Sequence, residues 1–117
     1  MALTGVHIEF GYGSVGAVGA GANAKGLGPA ALLGSETASQ TMATAQASTA
    51  RAPQSRPGNF QPLISIWASA PIFFVIGQNA TLAQVTDGVT PRRFYDPSFG
   101  RQDMFVNDGD NIAWAFA

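Results

Sequence analysis

The chain has 117 residues, a single domain's worth, and only 11% of them are charged, for a formal net charge of −1. That composition argues against a nucleic-acid surface or a domain kept apart from its copies by its own charge. With no cysteine, disulfide frameworks, thiolate catalysis and thiolate zinc sites are excluded. No run of about 18 apolar residues is present to span a bilayer as a helix, so no membrane partner is expected. The first ten residues lack a basic segment leading into a long apolar one, so no signal peptide is expected and synthesis in a reducing cytoplasm fits best.

Residues 1–28 hold eight of the fourteen glycines. Residues 6–10, VHIEF, read as a short strand. The following GYGSVGAVGAGANAKGLG is too glycine-dense for a helix, since each interior glycine costs about 1 kcal/mol relative to alanine. Residues 1–28 are therefore expected to form an extended assembly arm, anchored on a neighbour by Val6, Ile8, Phe10 and Tyr12. Residues 29–117 are expected to form the domain proper.

GSETASQTMATAQAST is compatible with a helix by its alanines, or with a solvent-facing strand by its threonines and serines. ARAPQSRPGNFQP is a loop punctuated by Pro53, Pro57, Gly58 and Pro62. LISIWAS and IFFVIG read as two apolar strands. In the second, Ile72, Phe74 and Ile76 share one face and Phe73 and Val75 the other, so both faces are expected to be covered. GQNATLAQVTDGVTP reads as turns, residues 92–95 as a short strand and 96–100 as a turn. Residues 101–107 read as a strand with Met104 and Val106 inward. Asp108-Gly109 before IAWAFA is a hairpin signal. In that last segment Ile112, Trp114 and Phe116 alternate with alanines, which predicts a bulky core face and a small-residue face open to a neighbour. The expected fold is all-β: a small antiparallel β-sandwich, jelly-roll-like, with the glycine-rich arm at its N-terminus.

The motifs with chemical associations are weak. Residues 11–16 match G-x-G-x-x-G with Glu36 beyond, but Gly19, Gly21, Gly26 and Gly28 deny the helix that a dinucleotide pyrophosphate needs. Lys25 is not followed by the Ser or Thr of a phosphate loop. His7 is the only histidine, so no multi-histidine metal site exists. Asp103, Asp108 and Asp110, with Asn107 and Asn111, lack calcium-loop spacing and read as a polar turn. Asn79-Ala80-Thr81 is a glycosylation pattern that matters only on secretion. Arg92-Arg93, the only adjacent basic pair, reads as a solvated strand edge. Trp67, Tyr95, Phe99 and Trp114 are the candidates for a carbohydrate platform. No catalytic residue, metal or cofactor is expected.

Residues 33–117 resemble the small β-sandwich structural proteins of tailed bacteriophage virions. The resemblance rests on ISIWASAPIFFVIGQNATLA, a strand pair followed by G-x-N-x-T. It rests equally on RRFYDPSFGRQDMFVNDGDNIAWAFA, whose Val-x-x-Gly-Asp-x-Ile-Ala ending places Gly109-Asp110 in a last hairpin. GSETASQTMATAQAST is similar to the Ser/Thr/Ala-rich early strand of such proteins. The resemblance implies a non-enzymatic capsid decoration or cement protein in the virion, made in the host cytoplasm. Its partners would be further copies of itself, as in a trimer, and major capsid or other virion proteins. A head–tail connector, collar or fibre-associated subunit, or a small glycan-binding module, are the alternatives.

Overall fold

The computed structural model describes residues 3–13, 33–55 and 61–117. These form eight strands: β1 (Val6–Gly13), β2 (Leu33–Met42), β3 (Gln46–Ala47), β4 (Gln61–Ala68), β5 (Ile72–Gly77), β6 (Arg93–Tyr95), β7 (Gln102–Phe105) and β8 (Asn111–Phe116). A short helix, α1 (Leu82–Thr86), follows β5, and a single 3₁₀ turn spans Pro97–Phe99. The strands make two antiparallel sheets packed together, in the orders β2-β1-β4-β7 and β3-β8-β5-β6. The all-β sandwich expected from the sequence is thus present.

The core lies between the sheets and follows from period-two alternation. Val6, Ile8 and Phe10 of β1, Ile64 and Ile66 of β4, Ile72 and Phe74 of β5, and Ile112 and Trp114 of β8 are each at most 2% exposed. Burying one such side chain is worth about 1.5–3 kcal/mol. The opposite face of β5 and β8 carries a smaller cluster, in which Val85 of α1 and Ala80 pack with Ala113, Phe73 and Val75. Both faces of β5 are therefore covered, as its composition predicts. The alanine face of β8, expected to await a neighbour, is covered by the chain's own helix, and the absence of bulk on β8 is what lets that helix approach.

Three expectations are corrected. Val6, Ile8, Phe10 and Tyr12 do not anchor an arm. They lie in an interior strand bonded to β2 on one flank and β4 on the other, and their side chains are 0%, 0%, 0% and 6% exposed. Alternation with His7, Glu9 and Gly11 turns all four inward, so no area remains for a partner. The expected boundary at residue 28 fails with them, because β1 is integral to the domain. Gly13 and Leu33 are cross-strand partners, and residues 14–28 of the expected arm lie outside the described residues.

The expected terminal hairpin is the second correction. Asp108-Gly109 does turn the chain, with Gly109 at φ +76° and Asp110 N donating to Asn107 O (3.1 Å). However, β7 and β8 belong to different sheets, so the turn arches over the core instead of closing a ladder. Third, LISIWAS and IFFVIG are not a pair, since β4 and β5 also lie in opposite sheets, joined by a corner at Ser69–Pro71.

That corner is clasped from two directions. Gly5 N donates to Ser69 Oγ (2.9 Å) and Ser69 N donates back to Gly5 O (2.9 Å). Ala117 N donates to Pro71 O (3.0 Å). Gly5 has φ +89°, and a β-carbon there would sit 2.0 Å from Met42 O. Gly5→Ala is therefore expected to lower stability by at least about 2 kcal/mol, read as a lower urea midpoint.

Candidate functional site

Three surface regions carry the side chains with chemical potential. The first is the outer face of the β2-β1-β4-β7 sheet. Register places Ser39, Glu9, Ser65 and Asp103 in one row across it, and Thr41, His7 and Trp67 in the next. Directly opposed residues share a face, so these side chains meet. Ser65 Oγ donates to Asp103 Oδ1 (2.6 Å), and Arg101 donates from Nε to the same oxygen (2.7 Å) and from Nη2 to Ser65 Oγ (3.1 Å). The Asp103 carboxylate holds the Arg101 guanidinium above its ordinary pKa.

His7 is fixed by Glu9 Oε2 at Nε2 (3.2 Å) and by Thr41 Oγ1 at Nδ1 (2.7 Å). A carboxylate only accepts, so Nε2 carries a proton, and in the neutral ring the Thr41 hydroxyl donates to Nδ1. The His7 ring lies 5.6 Å from that of Trp67, over which Arg101 stacks at 5.2 Å. His7, Glu9, Thr41, Ser65, Arg101 and Asp103 are each engaged with another of the set, and fully buried Ser65 is tied to both members of an ion pair. The network fastens neighbouring strands together.

The second region is the turn end of the sandwich, where the acidic cluster lies. Asp110 accepts from Asn107 N (2.9 Å) and Gln78 Nε2 (2.7 Å). Buried Asn111 accepts from Ala80 N (2.8 Å) and donates to Ser48 O (3.3 Å) and Ala80 O (3.2 Å). Arg51 donates to Gln78 O (2.6 Å) and Gly109 O (3.0 Å). These side chains replace ladder bonds that a loop cannot make. Among the described residues, no three metal-ligating side chains converge.

The third region is the outer face of the β3-β8-β5-β6 sheet beside α1. Phe94 and Phe99 are 47% and 52% exposed and meet edge-on at 6.2 Å. Phe94 packs on Phe73 at 5.5 Å, and Arg92 stacks over Phe73 at 3.8 Å while donating to Val85 O (2.9 Å). Phe99 also touches Tyr95 at 5.9 Å. Tyr95 is buried and donates to Gly100 O (2.6 Å), and loss of solvation raises its pKa. Val89, in the loop after α1, is almost fully exposed.

The sequence-selected residues thus scatter. The four carbohydrate-platform candidates do not converge: Trp67 lies on one outer face, Trp114 in the core, and only Tyr95 and Phe99 touch. Gly11, Tyr12 and Gly13 of the dinucleotide pattern lie within β1, and Glu36 pairs opposite Gly11 on β2. Gly16, Lys25 and the other glycines of those motifs lie outside the described residues. The comparisons with known proteins are empty. The chain matches no family model, no curated protein and no solved structure.

Two exposed carboxylates organise loops. Asp87 accepts from Val89 N (2.7 Å), Thr90 N (2.8 Å) and Thr90 Oγ1 (2.7 Å). The hydrogen bonds from Thr90, ahead of that from Val89, push its pKa below 3.8. Asp108 is lowered likewise by Ser55. A depressed carboxylate pKa stabilises the fold above the unfolded-state value, and that contribution disappears as pH falls through the folded value. Amide NMR signals of Val89 and Thr90 should titrate together in acid, with a midpoint below that of an ordinary aspartate. In Asp87→Asn, that pH-dependent shift should vanish.

Proposed function

We propose that this chain is a non-enzymatic virion structural protein, a capsid decoration or cement subunit that seats on a phage head through the outer face of its β3-β8-β5-β6 sheet. The observation that carries the reading is the Phe94–Phe99 pair, two half-exposed aromatic rings in contact on a chain with only 11% charged residues. Clustered exposed aromatics are an association liability unless a partner covers them, and aromatic anchors dominate interface energies. The polar clusters elsewhere support the same reading, since their members are bonded to one another and to backbone.

The strand order adds a second line of support. Going outward, β2, β3, β4 and β5 alternate between sheets, and β6, β7 and β8 return beside β5, β4 and β3. β1 closes the series beside β2. This order is compatible with a long antiparallel ribbon rolled into a sandwich, and we read it as a jelly-roll plan with the closing strand placed first in the chain. Jelly rolls serve viral capsids and lectins among others, so the plan suits a shell component but does not choose a function. The covered face of Trp67, under Arg101, favours the structural reading over a glycan-binding one.

In this reading the protein assembles with copies of itself, as a trimer, and with the major capsid protein, by burying the aromatic patch. The test is co-sedimentation with shells of the coat protein encoded in the same genome, alongside light scattering of the free protein. The wild type should enter the shell fraction. A Phe94→Ser/Phe99→Ser variant should bind at least about tenfold more weakly, with unchanged near-UV circular dichroism. A wild type that stays in the supernatant, or a variant that binds equally well, overturns the reading.

A further inference from the structure

The sandwich has an unfilled position along one side. β6 pairs only with Ile72, Phe73 and Phe74 of β5, whereas β5 continues to Gly77. Beyond Arg93 towards the N-terminus, Pro91 and Arg92 are no longer in the ladder, so Val75–Gly77 have β8 on one flank and no strand of the described residues on the other. Two hollows open there. One, of about 290 Å³, lies between the sheet edges and is lined by Gln61, Ile76, Arg93, Met104, Val106 and Asn107, among others. The second, of about 270 Å³, also reaches Ile76 and Arg93 and is bordered by Val75 and Pro91. Space on two sides of one strand flank is what a missing strand leaves behind.

The chemistry of this gap is asymmetric. Arg93 is opposite Phe74, so it starts on the inner face of the sheet, and its Nη1 reaches Met104 Sδ of the facing sheet at 3.6 Å. Among the described residues it forms no ion pair, in contrast to Arg101 with Asp103. Asp110, the carboxylate bordering the first hollow, has both oxygens bonded to Asn107 N and Gln78 Nε2. An inward-pointing charge on an edge is a standard guard against indiscriminate strand pairing, because an apolar strand laid there would desolvate it unpaired. A strand that brings a carboxylate to the guanidinium removes that penalty and adds a charge-assisted pair.

We propose that the gap beside Val75–Gly77 is a docking site for an extended, acidic segment of a partner protein, which adds a strand to β5 and places a carboxylate on Arg93. Main-chain bonds to β5 supply affinity, apolar side chains fill the hollow against Ile76, Met104 and Val106, and Arg93 supplies selection. The site is separate from the Phe94–Phe99 patch: Phe94 points to the outer face and Arg93 to the inner.

The experiment titrates ¹⁵N-labelled full-length protein with an acetylated, amidated hexapeptide, TVEVTV, and with its TVKVTV and TVQVTV counterparts. The acidic peptide should give saturable shifts confined to Val75–Gly77, Arg93–Tyr95 and β7, with the lysine peptide at least about tenfold weaker. Arg93→Glu, an exposed substitution whose folding is checked by the unshifted core signals, should reverse that order. N-methylation of alternate peptide amides should abolish binding in one of the two registers, since successive amides of a strand point to opposite edges and only every second one faces β5. Three results would each overturn the proposal: no saturable shifts up to about 5 mM peptide, a weak limit for any specific site; an order unchanged by Arg93→Glu; or full binding by both N-methylated peptides.

Discussion

The fold depends on the double pairing of β1. Its eight residues, Val6–Gly13, are bonded to β2 on one side and to β4 on the other, and its inward side chains are the centre of the core. Without β1, β2 has no partner in its sheet and the inner faces of β5 and β8 lose Val6, Ile8 and Phe10 as neighbours. The β4 partners of β1 lie 48 to 62 residues away in sequence, so the loop-closure entropy is offset only when the sheet forms as a unit. A segment that looks peripheral in sequence therefore controls whether the two sheets can face each other at all.

The division of labour between the faces follows from that constraint. With the interior filled by aliphatic and aromatic side chains, polar residues are left to the outer face of the first sheet, where they cross-link strands through His7, Glu9, Ser65, Arg101 and Asp103. The second sheet is covered differently. Small side chains on β8 admit α1, held by a reciprocal capping box between Thr81 and Gln84, and the helix is too short to cover the sheet as far as Phe94. Incomplete cover leaves the exposed aromatics, and the early end of β6 leaves the gap beside Val75–Gly77. Both surface features come from coverings that stop short.

Much of this was legible where alternation is strict. NIAWAF and IFFVIG announce their faces, and the β-sandwich follows from several short apolar strands between turns. The glycine density of residues 11–28 suggests an arm that would include β1, while Val6, Ile8 and Phe10 carry an ordinary core-strand pattern. Asp108-Gly109 fixes a local chain reversal but not which strand lies beside which, so an arch and a hairpin share one sequence signal. Thr81-x-x-Gln84 was a readable helix start, hidden within turn-forming residues. In RRFY, alternation alone cannot decide whether arginine or phenylalanine faces outward. The buried partner of Tyr95, Ile72, decides it, and that pairing is a tertiary fact. The network around His7 was invisible for a similar reason, since its members come from four separate stretches of chain.

The Ser69–Pro71 corner has one more consequence. It receives Gly5 from the beginning of β1 and Ala117 from the end of β8, so the two extremities of the described domain lie side by side. β5 runs away from this corner, and Gly77 lies roughly 17 Å along it at the usual rise per residue. A protein fused at either extremity would emerge from the same point, at the far end of β5 from the gap beside Gly77.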